Sequence, residues 1–124
     1  MADAKSDRPT RIYKICDRNT WEQARAGGHY FGSGDDARDG FIHLSAPDQV
    51  AGTLERHFAD RDDLLLIGVD VRRLGQALRW EPSRGGALFP HLYEPLDFAA
   101  VVSEMPLVRG SNRQYQLPDD LAPC

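Results

Sequence analysis

Apolar and polar positions alternate at residues 11–16 (RIYKIC), so that Tyr13 and Ile15 share one face and Ile12, Lys14 and Cys16 the other, which predicts a first strand. Thr20, with Gln23 three positions later, forms a capping box; a short helix is expected to open at Trp21 and to stop at Gly27 or Gly28. Residues 32–40 (GSGDDARDG) are dense in Gly and Asp and predict an exposed loop ending in an Asp39-Gly40 turn, a composition that permits a lid. Residues 41–45 predict a second strand. Ser45, with Asp48 three residues on, reads as the cap of the next helix, whose first turn tolerates Pro47. Val50, Leu54 and Phe58 follow at helical spacing as a core stripe.

After the charged turn ADRDD, residues 64–71 (LLLIGVDV) are apolar enough for a central strand covered on both faces. Leu74 and Leu78 fit a helical turn leading into a short strand at 78–81, residues 82–86 (PSRGG) a loop, and residues 89–93 another strand. Residues 99–108 contain a last strand whose end Pro106 confines to a sheet edge or bulge. The order β, α, β, α, β, β, β predicts a single α+β domain at 11–109, with residues 1–10 and 110–124 as flexible polar tails.

At 124 residues, 41% hydrophobic and 27% charged, the chain is one domain's worth and can bury a core without a disulfide or metal staple. Fifteen Lys and Arg against nineteen Asp and Glu give a net charge of −4, so nucleic acid could be held only through a local pocket, not by bulk charge. The longest purely apolar run, residues 64–67, falls far short of the roughly 20 residues that cross a bilayer, and residues 1–10 carry no apolar signal segment. No membrane contact and a cytoplasmic location are therefore expected. Cys16 and Cys124 are expected to be free thiols, Cys16 as a small core residue rather than a nucleophile.

Two pentapeptides share the pattern Phe-x-His-Leu-hydroxyl: Phe41, His43 and Ser45 in FIHLS, and Phe89, His91 and Tyr93 in FPHLY. Residues two apart on a strand face one way, so each segment presents an aromatic ring, an imidazole and a hydroxyl together. If they line opposite sides of one cleft, two imidazoles converge on a phenylalanine-walled pocket suited to a nucleotide or phosphoester. The competing reading makes each histidine a buried, hydrogen-bonded strand residue. His29 and His57 lack such a setting and read as surface or boundary residues. Trp80 and Glu81 precede Arg84-Gly85-Gly86, where backbone amides and a guanidinium could cradle an anion, or simply turn the chain; Glu81 could orient a ribose hydroxyl. Two strand histidines are too few ligands for zinc, and Ser45 lacks the G-x-S-x-G setting of a hydrolase nucleophile.

Over residues 12–108 the sequence resembles the bacterial and plant family known as domain of unknown function 952. The likeness is carried by IYKI near the start, Trp21, DGFIHLS at 39–45, a helix beginning near Gln49-Val50, the Trp80-Glu81 pair, and LFPHLYEPL at 88–96. It implies an ADP-ribosyltransferase-like fold: α+β, with two small, twisted, mostly antiparallel sheets forming a cleft and two or three helices. It also implies NAD as cofactor and a small nucleotide or phosphorylated substrate as partner. By the same resemblance His43 or Lys14 would contact the nicotinamide ribose, and His91 and Tyr93 would line the nicotinamide pocket. Glu81 fits the recurrent Trp-Glu pair, whereas the position of Glu94 is often glycine in the family. The expectation is a small enzyme, ADP-ribosyl- or 2′-phosphotransferase-like. His43, His91 and Glu81 would be catalytic, Lys14, Phe41, Ser45, Trp80, Arg84, Phe89 and Tyr93 would bind ligand, and no metal would be held. A non-catalytic module binding a small ligand or protein through the same cleft is the alternative, and a metal-dependent hydrolase the third reading.

Overall fold

β1 (Arg11–Asp17) pairs antiparallel with β4 (Leu64–Asp70), and β8 (Val101–Pro106) closes the other side of β4. The computed structural model describes residues 9–58, 61–83, 86–109 and 115–117. All seven residues of β4 are buried because its two faces feed two different cores, as its near-continuous apolar run anticipates. Leu65, Ile67 and Val69 join Ile12 and Cys16 on one side, while Leu64 and Leu66 join Tyr13, Ile15, Val50 and Leu54 on the other. Pro106 ends β8 at the sheet edge, where its missing N–H costs nothing.

A second three-stranded antiparallel sheet has the order β3 (Ile42–His43), β6 (Leu88–Leu92), β5 (Leu78–Pro82). The two sheets are stitched at one point, where Tyr13 and Ser45 exchange backbone hydrogen bonds of 2.8 Å in each direction. Side chains from both strands near that bridge line a hollow. Two short ribbons complete the strands: β2 (His29–Tyr30) with β7 (Leu96–Asp97), and β9 (Val108–Arg109) with β10 (Tyr115–Gln116). Among the described residues the architecture is therefore α+β, with small antiparallel sheets and three α-helices, and none of those helices is long and apolar enough to cross a membrane.

The helices depart from the sequence expectation at their starts. α1 spans Arg18–Gly27, three residues earlier than the Thr20–Gln23 capping box implies. Its cap is Asp17, whose carboxylate accepts from the Thr20 amide at 3.0 Å and from the Thr20 hydroxyl, a stronger acceptor than the hydroxyl it displaces. Gly28 ends the helix in the left-handed region, as expected. Trp21 is fully buried between Tyr30 and Phe98.

Residues 34–39, expected as exposed loop, form a helix, α2 (Gly34–Asp39), whose start is closed by the Asp36 carboxylate accepting from the Ser33 amide at 2.9 Å and whose end is Gly40 at φ 88°. Ser45 is not a cap either. Its backbone belongs to the bridge with Tyr13, and a 3₁₀ turn at Pro47–Gln49 follows Ala46, whose amide the Gln49 side chain accepts at 2.9 Å. α3 (Val50–His57) then places Val50 and Leu54 in the second core with Phe58 packed beside them, matching the predicted stripe.

Candidate functional site

His43 and His91 are direct neighbours in the β3–β6 register. The strand alternation turns Ile42 and Leu92 into the core and sends both imidazoles to the opposite side. The rings meet edge to face with centroids 5.6 Å apart. This corrects the expectation of two segments on opposite walls of a cleft: the twin motifs lie side by side on one sheet, and the facing wall comes from β1 and α2 instead. The hollow encloses about 250 Å³ and is bordered by both histidines, Lys14, Ser45, Thr53 and Phe89, among others.

Asp36 organises one half of this wall. It is buried, yet its two oxygens accept from Lys14 Nζ at 2.8 Å, the Ser33 amide at 2.9 Å, the His43 amide at 3.0 Å and His43 Nδ1 at 2.5 Å. Burial alone would raise its carboxyl, but the hydrogen bonds from His43 and the Lys14 ammonium outweigh it and hold the group well below the usual carboxylate range. Gly32 makes the approach possible: its φ is 99°, and a Cβ there would stand 2.5 Å from that of Asp36. Lys14 also donates to the His43 carbonyl at 3.0 Å, so this buried ammonium ties β1, α2 and β3 together. On the far side of the ring, His43 Nε2 lies 3.0 Å from Asp39 Oδ2.

The other half is built on β5 and β6. His91 Nδ1 lies 2.8 Å from Glu81 Oε1, which also accepts from the Tyr93 hydroxyl at 2.7 Å. Those two hydrogen bonds, from His91 first and Tyr93 second, lower the Glu81 carboxyl, and the bond to Glu81 raises the Tyr93 phenol. Phe41 stacks on His91 at 4.1 Å and touches the rings of His43 and Tyr93, so it holds both imidazoles in place. The Arg79 guanidinium covers the outer face of Tyr93 at 5.1 Å.

Of the residues singled out from the sequence, Lys14, Ser45, Phe89, His43 and His91 border the hollow, with Ser45 Oγ 3.0 Å from Thr53 Oγ1. Phe41 and Tyr93 instead border an adjacent cavity of about 240 Å³ that shares Asp36. Glu81 stands behind His91. Trp80 borders neither cavity: adjacent strand residues point oppositely, and with Glu81 turned to His91, Trp80 packs on the core. Arg84 lies outside the described residues. Cys16 is a buried free thiol that burial pushes up to about 12, the Lys14 charge only partly opposing this, so it is no nucleophile. Asp36, Asp39 and Thr53 were missed. The signal for Asp36 was present in Ser33-x-x-Asp36, an N-terminal helix box, with Gly40 as the matching stop.

A family model described as "Protein of unknown function (DUF952)" matches residues 15–104. The crystal structure of protein CC0527 from Caulobacter crescentus is similar, with a TM-score of 0.85 and 46% identity over 90% of this chain and 98% of that one. The solution NMR structure of CC0527 is also similar, with a TM-score of 0.81 and 46% identity over 92% of this chain and 98% of that one. No curated protein matches the chain.

Proposed function

The chain belongs to the family of proteins of unknown function DUF952, and from that premise we propose that it is a small enzyme acting on NAD or a related phosphorylated nucleotide held at the histidine-lined hollow. The observation that carries this reading is the pair of carboxylate–imidazole contacts, Asp36–His43 and Glu81–His91, on adjoining strands beside one cavity. Carboxylate-backed imidazoles bind anionic oxygens and move protons near neutrality. The Ser45 and Thr53 hydroxyls suit the hydroxyls of a sugar.

The fit is to one end of such a ligand. A hollow of about 250 Å³ lies at the small end of ligand pockets, which run from roughly 300 Å³ upward. It accommodates a ribose phosphate, and the rest of a dinucleotide would extend over the open rim. NAD in particular, and ADP-ribosyl transfer or 2′-phosphate removal as the chemistry, rests on what the resemblance to the DUF952 family implies, an ADP-ribosyltransferase-like type. Within this reading His43 and His91 touch the ligand, Glu81 positions His91, and Lys14 holds Asp36 and thereby His43.

Calorimetry of the full chain with NAD, ADP-ribose and a 2′-phosphorylated RNA oligonucleotide, followed by mass analysis of the bound material, tests the proposal. Binding of at least one and its conversion are expected. His91→Ala should then slow turnover about 10²- to 10⁴-fold, the usual worth of a general acid or base. Unchanged ligand recovered after hours would reduce the protein to a binding module, and silence toward all three would overturn the reading.

A further inference from the structure

Resting on that reading of the hollow, we propose that two of the three histidines bordering it have unlike roles: His91 exchanges a proton with the ligand, whereas His43 is an imidazolium fixed between Asp36 and Asp39 that receives the ligand's anionic group. The division follows from which ring nitrogens are already engaged.

At His43 both are. Nδ1 lies 2.5 Å from Asp36 Oδ1 and Nε2 3.0 Å from Asp39 Oδ2. The Nδ1 contact is a hydrogen bond and the Nε2 contact an ion pair, and two ionised carboxylates within 3.0 Å on either side of the ring favour the form in which both nitrogens carry hydrogen. A ring in that form has no lone pair with which to take a proton. Asp36 cannot yield, since it is held by donors from Lys14, Ser33 and His43. Asp39, exposed at the last turn of α2, is the partner that an incoming anion replaces.

His91 is engaged on one side only. Nδ1 faces Glu81 Oε1 at 2.8 Å, which fixes the hydrogen on Nδ1. Among the described residues Nε2 has no hydrogen-bond partner, although the side chain is only 6% exposed and borders the hollow. A ring nitrogen with a lone pair and no protein partner, open to the hollow, is a vacant acceptor beside the ligand space. It can take a proton from a ligand hydroxyl or a water: the O–H bond breaks, Nε2–H forms, and Glu81 stays ionised to balance the new charge. Glu81 and, through it, Tyr93 are positioning residues.

The charged and titratable groups around His43 include Asp36 and Asp39 on α2, Lys14 on β1 and His91 on β6; around His91 they include Glu81 and Arg79 on β5 and Tyr93 beyond β6, and Arg38 on α2 and His57 on α3 border the same hollow. The protonation pattern is read directly from ring proton–nitrogen correlation spectra of the full chain with ¹⁵N-labelled histidine, without ligand, at pH 7. The exposed variants His29→Gln and His57→Gln assign two of the four rings, and His91→Gln a third.

Both nitrogens of His43 should carry hydrogen, and His91 should show Nδ1–H with a bare Nε2. Asp39→Asn should return His43 to a neutral ring, and Glu81→Ala should abolish the Nδ1–H preference of His91, with backbone spectra confirming that both variants are folded. A neutral His43 in the unaltered chain, or a His91 proton resting on Nε2, overturns the division of roles. Because no ligand is present, that failure is distinct from silence in the calorimetric test, which would remove the nucleotide reading and leave these spectra unchanged.

Discussion

Replacing Lys14 with Met isolates the buried pair on which the candidate site is built. Methionine keeps the unbranched apolar stem and removes only the ammonium, so no cavity term confuses the result. The Lys14 and Asp36 side chains are 6% and 1% exposed and 2.8 Å apart, which puts the pair in the class where losing one partner costs about 3 to 5 kcal/mol. Asp36 retains its bonds from Ser33 and His43, so the lower end, about 3 kcal/mol, is expected. For a domain of this size about 4 °C per kcal/mol converts that loss to a fall in Tm of roughly 12 °C at pH 7.

The pH dependence supplies a second readout. The Asp36 carboxyl lies lower in the folded chain than its ordinary value, so its contribution is complete above about pH 4 and is lost as pH falls from there toward the folded value. Without the ammonium the folded carboxyl moves back up. The gap between the parent chain and Lys14→Met should therefore be widest at neutrality and narrow below pH 4. Urea titrations followed by circular dichroism from pH 7 to pH 3 measure both. A loss under about 1 kcal/mol, the range of exposed pairs, or a gap constant with pH would refute the placement of this pair in the interior.

Gly32→Ala should also destabilise the folded chain and weaken the Asp36 network, since the new Cβ would meet Asp36 at 2.5 Å on a backbone with φ of 99°; a cost of about 1 to 3 kcal/mol in thermal unfolding is expected, and a neutral result would exclude this close approach. The Cys16 thiol, buried and raised to about 12, should resist alkylation at pH 8 until denaturant unfolds the chain, as followed by mass spectrometry. Labelling of the native protein at the rate of a free thiol would contradict its burial.

What was legible in the sequence was whatever local periodicity controls. β1 and α3 carry apolar positions at periods of two and of three to four over seven or eight residues, β4 is a near-continuous apolar run, and all three form where those patterns put them. The same rule put each histidine and its aromatic companions on one strand face. The pairing of β3 with β6 was not legible, because residues 43 and 91 meet through a long-range register that no local pattern records.

α2 was hidden for a different reason. Six residues containing three aspartates and a leading glycine have poor helix propensity, and they fold as a helix because their ends are capped and because Lys14, twenty-two positions away in the chain, neutralises Asp36 from another strand. Composition assigns such a segment to solvent since charge is costly to bury. That inference fails wherever a partner arrives from elsewhere in the fold, and here the partner is the one charged residue within the otherwise apolar interior of β1. A lysine at an inward strand position is thus itself a signal: it demands a carboxylate, and the nearest cluster of carboxylates without another task, at residues 35–39, is where the missing half of the site lay.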